Sequence, residues 1–307
     1  MINISKAAQE YLAMRRQLGF RLSYTGCVLK GFSAYLLSKK SSYITVNLAV
    51  EYAMLNKNVK TIQWSKKLKI ITLFARYLKA FDPRTEIPPP QLIPCSYQRP
   101  MPYIYKDIEI LKLVESCKNL TKKKLLNHTY YTFFGLIAVT GMRTGEARRL
   151  SRDDVDLKQG IITIRESKFL KSRQIPIHSS TVEVLKAYVQ YRDQYFRPQK
   201  PQVFFVTAKG KILSKSIVSY YFKKACYKAG LCKEGVHPRI LDFRHTFAVK
   251  VLKGFYQKGL DVDASIPLLS AYLGHVNPHN TYWYLSVTPD LLNIIRKKLE
   301  KKIGGQP

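Results

Sequence analysis

The chain reads Tyr272-Leu273-Gly274-His275 and then, within Thr281-Tyr282-Trp283-Tyr284, a tyrosine nine positions beyond that histidine (284 − 275 = 9). With 21 tyrosines in the chain, residue type alone singles out none, and the pair gains meaning only from what lies upstream. Asp242-Phe243-Arg244-His245-Thr246-Phe247-Ala248 sets an arginine between Ile240, Leu241 and Phe247. A lone guanidinium is costly there unless an anion pairs with it, so a buried salt bridge is the plain structural explanation. Farther upstream, Thr140-Gly141-Met142-Arg143-Thr144-Gly145-Glu146 follows a nearly all-apolar helical stretch, 129–140, containing Phe133, Phe134, Leu136, Ile137 and Val139. Glycines on both sides permit a tight turn from which Arg143 projects, with Glu146 positioned to brace it. By itself such an arginine is an ordinary solvated charge.

Between these arginines lies a strand–turn–strand pattern. Residues 160–165 carry β-branched Ile161, Ile162, Thr163 and Ile164, then come charged residues 166–173 and Ile175-Pro176-Ile177, which reads as two strands joined by a basic turn. The turn holds Ser167-Lys168-Phe169-Leu170-Lys171-Ser172-Arg173, and a phosphate-binding loop without chemistry is its simplest reading. Taken together, the order Arg143, Lys168, Arg244, His275, Tyr284 resembles the catalytic series of the tyrosine recombinase and phage-type integrase family, which includes transposon-encoded members. The match spans roughly residues 100–295, and Leu-Gly-His with Tyr nine residues on is its most specific part.

The resemblance implies a chemistry that explains the residue types. Two arginines grip the non-bridging oxygens of a DNA phosphate with forked donors and stabilise the transition state. Tyr284 attacks the phosphorus and forms a covalent 3′-phosphotyrosine that conserves the bond energy. Lys168 resembles the family's hairpin lysine, which protonates the 5′-hydroxyl leaving group, with Lys171 as the alternative. His275 donates a hydrogen bond to a non-bridging oxygen, and Lys171 and Arg173 are expected to contact DNA. Glu146 supports Arg143, and His245 resembles the family's second, largely structural histidine. No metal, nucleotide or other cofactor is implied, and no G-x-x-x-x-G-K-[ST] loop occurs in the sequence.

One position departs from the pattern. The family has His, or sometimes Lys, three residues before the second arginine, and position 241 is Leu. An acid–base group is missing, which predicts a slow enzyme or one stalled at a step, since such groups are worth about 10² to 10⁴ in rate. His237 and His245 lie nearby, but neither is expected to face where residue 241 faces, so direct substitution is not expected.

Outward from the motifs, the organisation is that of two domains. Apolar residues recur at helical spacing over residues 5–78, as in Tyr11, Met14, Leu18 and Ile70, Leu73, Phe74, Tyr77. Asp82-Pro83, Pro88-Pro89-Pro90, Pro94 and Pro100 then break the pattern. The expected division is a helical domain at 1–82, a proline-rich linker at 83–102 and a catalytic domain at 103–307. The resemblance makes the first a core-binding domain, and the fold a mainly α protein with a small antiparallel sheet, clamped round duplex DNA.

Composition agrees with a polyanionic partner. The 307 residues include 52 Lys plus Arg against 20 Asp plus Glu, a formal charge of +32, which is strongly self-repulsive until an anion neutralises it. The basic residues are spread along the chain rather than gathered beside an apolar span, so double-stranded DNA is the expected partner and a membrane is not. No apolar run reaches the roughly 18 to 20 residues of a spanning helix, and a cytoplasmic protein is expected. Five cysteines at irregular spacing suggest thiols without a zinc or redox role. By resemblance, recombination takes four protomers on two duplexes, with the helical stretch 290–301 a candidate for docking onto a neighbour or for packing within its own chain.

Four other readings remain open: a DNA-binding protein of the same fold that has lost catalysis, a type IB topoisomerase, a basic RNA-binding protein, and a metal-dependent transposase using Asp153, Asp154 and Asp156. The last needs carboxylates free to hold metal, whereas these lie among Arg148, Arg149 and Arg152 and are expected to form ion pairs.

Overall fold

A computed structural model describes the chain except for residues 1–2, 21, 90, 96–99, 166–171, 236, 276, 278, 287–291, 295, 297–299 and 301–307. It separates into two compact units, Met1–Pro100 and Met101–Pro307.

The first unit is built from α1 (Ile4–Gln17), α2 (Ser23–Ser38), α3 (Val46–Met54) and α4 (Thr61–Lys79). Short polar side chains start two of them: Asn3 Oδ1 accepts the Lys6 N–H at 3.1 Å and Thr45 Oγ1 accepts that of Leu48 at 3.2 Å, each satisfying a donor the first turn leaves unpaired. Tyr11, Leu29, Phe32, Leu36, Leu68, Ile71 and Phe74 form the core, with the Tyr11 and Phe74 rings 5.6 Å apart. Met14 and Leu18 are exposed, Leu18 because α1 has ended before it. The proline-rich stretch forms no helix or strand among its described residues, but it is held to this unit as far as Ile93. Glu86 donates its N–H to the Ile44 carbonyl at 2.8 Å, Thr72 donates its hydroxyl to the Pro88 carbonyl at 3.1 Å, and Ile93 is buried in the core. Prolines lack a donor yet keep an accepting carbonyl.

The second unit opens with α5 (Asp107–Ser116), α6 (Lys124–Thr140) and α7 (Thr144–Arg149). As its apolar surround predicts, α6 is the central buried helix. Tyr130, Phe133, Phe134, Leu136 and Ile137 are all enclosed, each contributing roughly 2 kcal/mol of burial. Three strands follow, β1 (Val155–Asp156), β2 (Ile161–Ile164) and β3 (Arg173–Pro176), in an antiparallel sheet of order β1-β2-β3 with Ile162 opposite Ile175. The second expected strand thus begins two residues earlier than its apolar core suggests, because Arg173 pairs with Ile164. The short β1 falls within the acidic cluster and was not anticipated. Then come α8 (Ser179–Tyr195), α9 (Lys215–Lys228), α10 (Ile240–Gln257), α11 (Val262–Leu273), α12 (His279–Tyr282) and a 3-10 turn, Trp283–Ser286, which follows two earlier ones at Cys117–Asn119 and Arg152–Asp154. The fold is mainly helical with one small antiparallel sheet, as expected from the sequence. Among the described residues no helix is long and apolar enough to cross a membrane.

The acidic cluster is occupied within the fold. Asp154 accepts from Arg165 at 2.6 Å and from the Ser151 N–H, Asp153 accepts from Gln202, and Asp156 caps the turn at Lys158 and Gln159. Among the described residues the expected ion pairing is made by Asp154, and its partner is Arg165 rather than Arg148, Arg149 or Arg152; Arg152 pairs instead with Asp193. Cys117 and Cys226 are buried in the second unit's core, while Cys27, Cys95 and Cys232 are exposed. Of the stretch 290–301, Leu291, Ile295 and Leu299 lie outside the described residues.

Candidate functional site

Helix α6 ends at Gly141, whose φ of +62° turns the chain into α7. Arg143 is the N-cap of α7, and Glu146 closes its first turn by accepting the Arg143 N–H at 2.9 Å. The same carboxylate accepts from Arg143 Nη1 at 2.8 Å, and from Arg173 Nη2 at 2.8 Å and Nη1 at 3.2 Å. Burial pushes the Glu146 carboxyl up, but the Arg173 and Arg143 guanidiniums outweigh it and hold its pKa at about 2. Glu146 is therefore a buried anion shared by two arginines.

The second ends of the arginines are tied to helix C-termini, whose last carbonyls have no partner within the helix and carry partial negative charge. Arg143 Nη2 donates to the Gly274 carbonyl at 2.9 Å, just past the end of α11. Arg244, on α10, donates to the Leu273 carbonyl at 2.6 Å and the Gly141 carbonyl at 3.0 Å. Among the described residues no carboxylate forms the buried salt bridge considered for Arg244; the Gly141 and Leu273 backbone carbonyls accept its hydrogen bonds. Burial and the nearby charge of Arg143 push its pKa down to about 10, still well above neutrality. Arg143 keeps 29% of its side chain exposed, so one guanidinium is open and the other is embedded behind it.

Gly274 has φ +68°, and a Cβ there would meet Arg173 Nη1 at 2.6 Å. The glycine between Leu273 and His275 is required both by the backbone turn and by the arginine packed on it. Beyond it, His275 Nδ1 is 2.7 Å from Thr281 Oγ1, and its ring lies 6.3 Å from that of Tyr284. Tyr284 is almost fully buried, and its hydroxyl is 3.1 Å from Nδ1 of His245.

The structure thus gathers Arg143, Glu146, Arg244, His245, His275 and Tyr284 around one locus. Lys168 and Lys171 lie outside the described residues. Arg173, expected to contact DNA, has its guanidinium engaged by Glu146 and by the Tyr272 carbonyl, each at 2.8 Å. Alternation along β3 carries the signal for this, since Arg173 and Ile175 share the inward face while Gln174 points out. His245 is the other residue whose place the sequence reading missed. Positions 241 and 245 are four apart, so they lie on the same helical stripe rather than on different faces. Leu241, in the first turn of α10, is half exposed, whereas His245, one turn deeper, is buried against Tyr284. Beside the site, a groove at the start of α7 is lined by Thr144, Arg148, Arg149, Lys215, Lys223 and Arg239.

Comparison with known proteins places this arrangement. The profile of the phage integrase family matches residues 105–290. The integrase/recombinase-like protein y4rB of Sinorhizobium fredii is 37% identical over 309 residues, covering 98% of this chain and 98% of its own length. The tyrosine recombinase XerD of Staphylococcus epidermidis is 27% identical over 271 residues, 85% of each chain. Among solved structures, the integrase of transposon Tn1549 in complex with transposon right end DNA aligns with a TM-score of 0.67 at 14% identity, covering 98% of this chain and 99% of that one, a likeness of fold.

Proposed function

The chain belongs to the phage integrase family of tyrosine recombinases, and from that premise we propose that it is a site-specific recombinase that cuts and rejoins duplex DNA through Tyr284. The observation that carries the reading is the cross-tying of the motifs: Arg143 binds the Gly274 carbonyl and Arg244 those of Gly141 and Leu273. Residues from three distant stretches of sequence thereby surround one spot beside His275 and Tyr284.

In this reading the Arg143 and Arg244 guanidiniums bind the non-bridging oxygens of the target phosphate, replacing solvent with fixed donors as charge develops. His275 adds a hydrogen bond to the same oxygens. Tyr284 attacks the phosphorus, its Oη–P bond forms, and the bond to the 5′-oxygen breaks as Lys168 gives that oxygen a proton. Reversal of the step by a 5′-hydroxyl of the exchanged strand reseals the DNA. Glu146 and Arg173 hold Arg143 in place. The basic groove of Arg148, Arg149, Lys215, Lys223 and Arg239 extends a phosphate-binding surface away from the site.

The domain roles follow the family: a core-binding region at 1–82, a linker at 83–102 and the catalytic region at 103–307, clamped on DNA and working as four protomers on two duplexes in the cytoplasm. Leu241 favours a second reading, a DNA-binding protein of this fold with impaired cleavage. Two duplexes carrying the chain's own element ends, mixed with the protein, distinguish the two. Wild type is expected to yield recombinant strands and Arg143→Lys, which keeps the charge but loses the fork, to yield none. Tight binding by wild type with no recombinant strands would favour the second reading.

A further inference from the structure

We propose that His245 is the proton acceptor for Tyr284, supplying from one helical turn deeper the acid–base function that Leu241 leaves vacant. The inference rests on the recombinase reading above.

A phenol with an ordinary pKa of about 10 is almost entirely protonated at neutral pH, so its attack on phosphorus needs a base within hydrogen-bond reach. His245 Nδ1 is 3.1 Å from Tyr284 Oη. The His275 ring stacks with that of Tyr284 at a centroid distance of 6.3 Å, and its Nδ1 lies 2.7 Å from Thr281 Oγ1. His245 is held on α10, a helix of 18 residues, with the indole of Trp283 packed edge-on against its ring at 5.6 Å. Its ring and the phenol are both buried, which keeps water from competing for the proton. Arg244, the preceding residue, is electrostatically coupled to Tyr284 and favours the phenolate that results.

Tyr284 O–H donates to the unprotonated Nδ1 of a neutral His245 whose other ring nitrogen carries the hydrogen. The proton passes to Nδ1 as the Oη–P bond forms. The P–O5′ bond breaks, and the electron pair stays on the 5′-oxygen, which takes its proton from Lys168. In rejoining, the proton on Nδ1 returns to Oη as Tyr284 leaves. His245 thus touches the reacting oxygen itself, and a leucine at position 241, which has no proton site, becomes tolerable.

The test is the single-turnover rate of covalent adduct formation on a nicked duplex bearing the element's end. Wild type, His245→Ala and His245→Gln are compared, each also with a fluorinated tyrosine at position 284, whose more acidic phenol needs less help from a base. His245→Ala and His245→Gln are expected to slow the adduct by about 10²-fold or more with DNA binding retained. Fluorination is expected to recover at least about tenfold of that loss while changing wild type little. Should the Ala variant fail to fold, the Gln variant, which fills the same space and hydrogen-bonds without taking a proton, carries the comparison. An undiminished rate, or a loss that fluorination does not recover, would overturn the assignment. A faster rate would also overturn it, since the contact would then be a latch on the nucleophile. Absence of any Tyr284-dependent adduct from wild type would instead sink the recombinase reading itself, an outcome distinct from all of these.

Discussion

Glu146 is where the site's electrostatics and its stability meet. Its carboxyl, ordinarily at 4.5, is held at about 2 by two guanidiniums despite burial. Because the folded value is depressed, the stabilisation is complete above the unfolded value and is lost as pH falls from about 5 toward 2. Urea unfolding across that window should show a decline on the order of 3 kcal/mol from this group. Glu146→Gln should be less stable at neutral pH, leaving Arg173 buried without its anion, and should show a shallower acid decline; an equally steep one would assign the effect elsewhere. At position 241, Leu241→His is expected to raise single-turnover cleavage, by about tenfold or more if the imidazole shares the proton. An unchanged rate would count against reading 241 as a vacant acid–base position. Arg143 and Glu146 were legible in sequence because a turn and a spacing of three suffice to relate them. Arg173 and His245 were not: the one looked like loop charge beside other basic residues, and the partner of the other, Tyr284, lies 39 residues away.

Among elements, the junction of α6 and α7 sets the clamp, since Gly141 turns the chain and its carbonyl receives Arg244. A Cβ there would sit 2.7 Å from the Phe247 ring, on a backbone with φ +62°. Gly141→Ala is expected to lower stability by roughly 2 to 4 kcal/mol, from backbone strain and the clash together. Gly254, inside α10 with open space at its Cβ position, gives the opposite sign: Gly254→Ala should stabilise by about 0.5 to 1 kcal/mol. Thermal unfolding of both variants checks the pair, and equal shifts would contradict it. The buried α6 and the two longer strands were readable from periodicity because tertiary packing reinforces those local patterns. The first strand, β1, was not, because two residues carry no period and its acidic neighbours look like surface.

The whole molecule carries a formal charge of +32, which the fold does not cancel internally. DNA affinity should fall steeply with salt, each neutralised phosphate contributing about 0.9 to the log–log slope; a flat dependence, read by a fluorescence titration at several salt concentrations, would contradict a phosphate-gripping surface. Two-unit organisation was visible in the run of prolines, but the packing of that run onto the first unit as far as Ile93 was not, since a proline-rich string looks the same whether tethered or free. Tyr284 is proposed to form a covalent bond to DNA. That bond is tested most directly by incubating the protein with its element's end sequence, nicked beside the cleavage position, and running a denaturing gel for wild type and Tyr284→Phe. A protein–DNA adduct is expected with wild type and none with Tyr284→Phe. An adduct that persists without the hydroxyl, or none from wild type despite tight binding, would contradict it.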